Sequence, residues 1–307
     1  MLSNFPKGFP NGVALRNVPV AMPHPGKVFW VSSTAGSNGN RGTYEQPFST
    51  IDYAVGRCRA NKGDIIFVMP GHVETVTAAG GLDLDVAGIV LIGLGNGNLR
   101  PQINFTTAVG ADMNVSAANI TMVNFRFTGG IDALTGPIDV NASDFELVDI
   151  ITEDVTGQAT DFIVTDANAS RLRISGWQHR GASAAGADTA ISMVGGDDIV
   201  IEDFSLYGNF AVAGIENVTT AMNRVRIGGG TTPSYIWTEN AADVAITMVA
   251  ATTGSIGPNI NIMLQDNAAN ITEAVVGAAC QFYQPINIAN LAGEVGMQTN
   301  ITASTDA

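Results

Sequence analysis

Carboxylates dominate the side chains that could do chemistry. Asp197, Asp198, Glu202 and Asp203 crowd one short segment, Asp144, Glu146, Asp149, Glu153 and Asp154 crowd another, and Asp161 and Asp166 lie between them. Acid–base cleavage of a glycosidic bond needs two carboxyls about 5–9.5 Å apart on one face. The same residues also suit outward alternation on stacked strands, with Glu146 over Arg173 and Arg173 over Val200, an ion pair there contributing ~0.2–1 kcal/mol. That structural reading is the simpler one, and it leaves no catalytic residue assigned.

The other reactive types add little. His24, His72 and His179 sit at no ligand spacing from one another or from a cysteine, so neither a zinc site nor a Ser-His-Asp arrangement is supported. Cys58 and Cys280 are too far apart to form a redox motif and read as free structural thiols. Gly228-Gly229-Gly230 has no Lys-Ser or Lys-Thr after it and reads as a loop, not a phosphate cradle. No metal and no cofactor is expected. Trp177, Tyr207, Phe210, Tyr235 and Trp237 carry flat rings of the kind that stack on sugars, although rings more often fill coils. If a glycan face exists, its expected members are Trp177, Glu202, Asp203 and Tyr207.

The elements that must hold these residues repeat. Short β-branched runs alternate with period two between Asn, Asp or Gly turns, as in Asn119–Asn124, Asp144–Asp149, Arg171–Gly176 and Asp198–Asp203. Apolar anchors at Ile89, Ile120, Phe145, Leu172, Ile199, Val225, Val244 and Ile271 follow at steps of 31, 25, 27, 27, 26, 19 and 27. A drifting period near 26 with short strands predicts an all-β solenoid, a parallel β-helix of three short strands per coil. Asn119, Asp144, Asp198, Asp243 and Asn270 before the anchors, and Asn124, Asp149, Gly176 and Asp203 after them, should form turn columns.

Ahead of the solenoid, Pro6, Pro10, Pro19, Pro23 and Pro25 hold an extended arm. Val28–Val31 reads as a first strand. Residues 48–60 read as a helix, with Ser49 as its cap and Ile51, Val55 and Cys58 on one face, placed to plug the first coil. The domains expected are an arm, first strand and loop over 1–44, a β-helix over 45–275, and a C-terminal cap or oligomer contact over 276–307, where the rhythm is lost. Charge follows this division, because residues 1–44 carry +4 and the remainder −18. A net −14 argues against nucleic acid. No run is long enough for a membrane span, and no secretory signal is evident, so synthesis in the cytoplasm is expected.

Phe48-Ser49-Thr50-Ile51-Asp52-Tyr53-Ala54, followed by Gly63–His72 and Glu74, resembles the entry module of pectin-lyase-like β-helices. With Phe9-Pro10-Asn11-Gly12-Val13 and His24–Val31 it is similar to β-helix proteins of tailed phages. The resemblance implies a right-handed coil and a virion component, a head decoration (cement) protein. On that reading the protein is non-enzymatic and is expected to be a homotrimer. Its arm residues Phe5, Lys7, Phe9, Val13, Leu15, Arg16, Val18, Val20 and Lys27 would bind the major capsid protein or other copies of the chain. The alternative expectation is a tailspike or fibre that binds or cleaves a host surface polysaccharide.

Overall fold

The structure is a computed structural model. It describes residues 26–290 except 130, 155–156, 158, 240–243, 266–273 and 278, together with the strand backbones Val13–Leu15, Val18–Ala21 and Val295–Met297. The chain is a parallel β-helix. Each coil runs through a first-face strand such as Ile120–Val123, a second-face strand such as Arg126–Gly129 and a third-face strand such as Leu134–Val140. Among the described residues the third face has eight strands, from Leu82–Asp83 to Val275–Val276, one for each of eight coils. Strands on each face pair in parallel with those of the next coil. The antiparallel pairs are the hairpin Val13–Leu15 with Val18–Ala21, and Val295–Met297 on Ile286–Asn290. No described helix is long and apolar enough to cross a membrane.

Inward residues of successive coils stack into continuous columns that exclude water. Ile120, Phe145, Leu172 and Ile199 are all fully buried; the first two begin their first-face strands and the last two directly precede theirs. The corners between first and second faces fall at Asn124, Asp149, Gly176 and Asp203, with φ of 66°, 51°, 70° and 53°. These residue types tolerate the left-handed region that the bend demands. At Gly176 a Cβ would also lie 2.5 Å from Asp149 Oδ1. Asn124 adds side-chain hydrogen bonds, its Nδ2 donating to the Gly93 and Gly95 carbonyls at 2.7 and 2.9 Å.

The turn column before the first face is also left-handed. It reads Asn119, Asp144, Arg171, Asp198 and Arg224, with φ between 59° and 61°. The two arginines are unexpected there. Each places Nε and Nη2 on the carboxylate of the preceding coil, Arg171 on Asp144 and Arg224 on Asp198, at 2.6 and 2.7 Å in both pairs. Hydrogen bonds from these arginines hold both aspartates below the usual carboxylate range. Asp243 and Asn270 lie outside the described residues.

Four expectations need correction. The last two anchors were misplaced, because Val225 pairs with Gly254 and Gly254 with Cys280, giving steps of 29 and 26. Val244 instead adjoins the third-face strand Ile246–Thr247, whose β-branched residues mimic a first-face start. The entry helix spans only Ile51–Val55, with Gly56 at its C-cap. Glycine does not favour continuation, and Asp64 ties the chain back by accepting from the Arg59 N–H at 2.7 Å. The N-cap is Thr50, not Ser49, which hydrogen-bonds Asn38 instead. Finally, the coil rhythm persists beyond residue 275 through Cys280–Phe282 and Ile286–Asn290. Its signal is faint because Gly and Cys replace the β-branched anchors.

The helix still plugs the first coil, since Ile51, Ala54 and Val55 are fully buried. Glu74 joins it to the solenoid: its Oε2 accepts from the Ile51 N–H and lies 2.9 Å from His72 Nε2. Both thiols are free, and burial pushes the Cys58 thiol up to about 12, with Asp64 adding to the shift, so it is poorly reactive.

Trp177 and His179 point into the core. Thr152 Oγ1 accepts from Trp177 Nε1 at 2.8 Å and lies 2.9 Å from His179 Nδ1. Phe162 and Phe210 flank the imidazole with centroids at 5.6 and 5.5 Å. Burial pushes His179 down to about 3, so the ring is neutral.

Two measurements check this account. Asn124→Ala should lower unfolding stability in urea by about 2 kcal/mol and Asn124→Gly by about half that, since only alanine also bears left-handed strain; equal losses would contradict the corner role. His179 titrates lower when folded than when unfolded. Its contribution is therefore complete above pH ~6.5 and is lost as pH falls toward 3, at about 1.4 kcal/mol per unit. His179→Phe should flatten this slope between about pH 7 and 4.5, and an unchanged slope would count against it.

Candidate functional site

The faces differ chemically because stacking multiplies each outward position along a column. On the first face, Glu146, Arg173, Glu202 and Arg226 form a ladder: Arg173 pairs with both glutamates, and Arg226 lies 3.2 Å from Glu202. The cross-strand reading of Glu146, Arg173 and Val200 is thereby met, with the predicted register. Glu153 on the second face is likewise held by Arg126 and Arg180. Buried Asp154 accepts from the Ala159 and Ala187 N–H groups at 3.1 and 2.9 Å. These carboxylates are committed to structure.

The third face is acidic and has no ion pair among the described residues. Burial raises the Asp139, Asp161 and Glu216 carboxyls, with neighbouring carboxylates adding to the shift; Asp161 also accepts from Thr189 Oγ1 at 2.7 Å, which opposes it.

The second face changes character toward its C-terminal coils. Ser234–Thr238 alternates Tyr235 and Trp237 outward around buried Ile236, leaving the rings 50% and 43% exposed. On the next two strands the residues in register with Tyr235 are Asn261 and Asn287, and those in register with Trp237 are Met263 and Ala289. Side-chain size falls along the second column from Trp to Met to Ala. The descent leaves a shallow groove of about 320 Å³. Its walls are aromatic and aliphatic, with a row of amides in which Asn287 Nδ2 donates to Asn261 Oδ1 at 2.9 Å. Across Trp237, one coil earlier, stands the Tyr207 ring at 6.2 Å. Its hydroxyl donates to Glu239 Oε1 at 3.1 Å, and Glu239 directly follows the strand that carries both exposed rings.

No member of the expected glycan face lines this groove: Tyr207 stands across Trp237 from it, and Asp203 lines a neighbouring hollow with Tyr235. Trp177 is 1% exposed. The corner at Gly176 consumes one residue and shifts the in–out parity, sending Trp177 and His179 inward. Phe210 is buried as well. Glu202 lies on the first face, clamped by its arginines. Asp203 forms the corner, where its Oδ1 accepts from the Thr232 N–H and hydroxyl at 2.6 and 2.9 Å. Asn261, Met263, Asn287 and Glu239 were missed, although the alternation in Ser-Tyr-Ile-Trp-Thr already implies that both rings face outward.

Of the arm residues expected to grip a capsid, Phe5, Lys7, Phe9 and Arg16 lie outside the described residues. Val13, Leu15, Val18 and Val20 belong to the hairpin backbone. Lys27 is exposed, and its backbone N–H donates to buried Asp64.

No protein-family profile and no curated protein matches the chain. Among solved structures it is similar to the GH136 lacto-N-biosidase from Eubacterium ramulus, at 14% identity and a TM-score of 0.52 over 88% of this chain. The chain spans 57% of that protein's length. A rhamnogalacturonan lyase matches over 84% of this chain and 87% of its own, at 13% identity and a TM-score of 0.43. The expectation of a non-enzymatic protein is overturned here: it rested on fold resemblance and on a missing constellation, yet a glycosidase is built on the same fold. The chain has a pectin-lyase-like parallel β-helix fold.

Proposed function

We propose that the protein binds a neutral glycan in the second-face groove. The observation that carries this reading is the pair of exposed rings, Tyr235 and Trp237, beside the Asn261–Asn287 amide row. Aromatic rings take up the apolar faces of sugars while amides serve their hydroxyls, the usual division of labour in a ligand groove. Charge supports neutrality of the ligand. A net −14 and an acidic third face would repel uronate polymers, whereas the groove itself is lined by uncharged residues. Glu239, held by the Tyr207 hydroxyl at 3.1 Å, stands on the far side of Trp237 from the groove lining, so the stacking rings and the amides carry the binding. The shared fold of a lacto-N-biosidase supports asking for hydrolysis as well as binding.

Calorimetry with neutral and uronate oligosaccharides, combined with assays for new reducing ends, tests the reading. Neutral oligosaccharides should bind and uronates should not. Trp237→Ala should weaken binding about tenfold or more, the loss of one stacked ring. Glu239→Gln, outside the groove lining, should keep wild-type affinity. Wild-type affinity in both Trp237→Ala and Tyr235→Ala, or preference for uronates, would overturn the reading.

A further inference from the structure

The first face carries a second surface, unrelated to the groove. Its N-terminal coils are apolar on the outside. Val28 and Trp30 lead one strand, Phe67 and Ile92 follow in register with Trp30, and Val123 and Val148 continue the column. Val28 is 44% exposed and the others are half-buried. Trp30 stacks on Phe67 at 4.9 Å and meets the exposed Tyr44 edge-on at 5.1 Å. Beyond this stripe the same face continues as the Glu146–Arg173–Glu202–Arg226 ladder, whose charges are neutralised within the chain.

We infer that the first face is a contact between copies of this chain lying side by side with their solenoid axes parallel. Charge selects the occupant. A second copy of a −14 protein is repelled by the third face, whose described carboxyls make no ion pair, but it can approach a face that is apolar at one end and internally paired at the other. The arrangement also follows, because only parallel copies place apolar coils against apolar coils; antiparallel copies would bury charges against Val and Trp. Size is compatible as well. Ten stacked strands run from Val28–Val31 to Cys280–Phe282. At ~4.8 Å per strand they make a face roughly 45 Å long and 13 Å wide. That is roughly 585 Å² of flat area, of the order of the ~800 Å² per partner of a stable interface.

Sedimentation equilibrium of the full chain at micromolar concentration should give a multiple of 31.8 kDa. Phe67→Glu combined with Val123→Glu should return it to the single-chain mass with an unchanged β-sheet circular dichroism spectrum. If that variant fails to fold, Thr121→Cys provides the second test. Thr121 lies in the outward first-face column, and parallel copies should form a disulfide between their equivalent cysteines, seen as a doubled band on a non-reducing gel. A single-chain mass for the wild type overturns the inference. So does an unchanged multiple in the folded double variant, or an associated wild type whose Thr121→Cys variant does not cross-link.

Discussion

Everything in this molecule depends on keeping the backbone of each coil paired with the coils before and after it while the chain turns its corners. Parallel pairing fixes the strand positions, so the bends fall at the same place coil after coil. A bend between two short strands requires one residue in the left-handed region, and the chain supplies Asn124, Asp149, Gly176 and Asp203. Where arginine occupies such a position, as at 171 and 224, a two-point ion pair to the coil before holds it there. The ends need separate answers. Glu74 and the helix Ile51–Val55 close the first coil, and Val295–Met297 covers the last second-face edge.

Fixed register has a chemical consequence. An outward position becomes a column, so its chemistry is displayed as a stripe. Arginines are spent on the first two faces and the first turn column, where they hold Asp144, Glu146, Glu153, Asp198 and Glu202. Among the described residues the third-face carboxyls make no ion pair, and the aromatic groove opens where side chains shrink from Trp237 to Ala289. On such a scaffold a step in a column is enough to open a groove.

The solenoid was legible because its two demands leave marks in sequence: period-two apolar alternation for the interior, and Asn, Asp or Gly for the corners. Asn119, Asp144 and Asp198 were found on that basis. The reading failed where a different residue met the same demand. Gly254 and Cys280 head first-face strands without β-branching, so Val244 and Ile271 were chosen instead. The groove was half legible. Tyr235 and Trp237 stood out as rings, but the amides beneath them come from strands 26 residues apart, and only register unites those. Trp177 was misread because alternation does not survive a corner. The alternative expectation, a protein that binds or cleaves a polysaccharide, already allowed for a glycosidase built on this fold.

The central claim is that Trp237 meets a sugar. The chain holds three tryptophans, of which Trp177 is buried and Trp30 half-buried, leaving Trp237 as the exposed one beside the groove. Acrylamide quenching of the wild type, with Trp237→Phe as reference, reads this contact directly. Saturating neutral oligosaccharide should abolish the quenching that distinguishes the two proteins. Quenching of Trp237 that persists when the oligosaccharide is bound would place the sugar elsewhere and contradict the account.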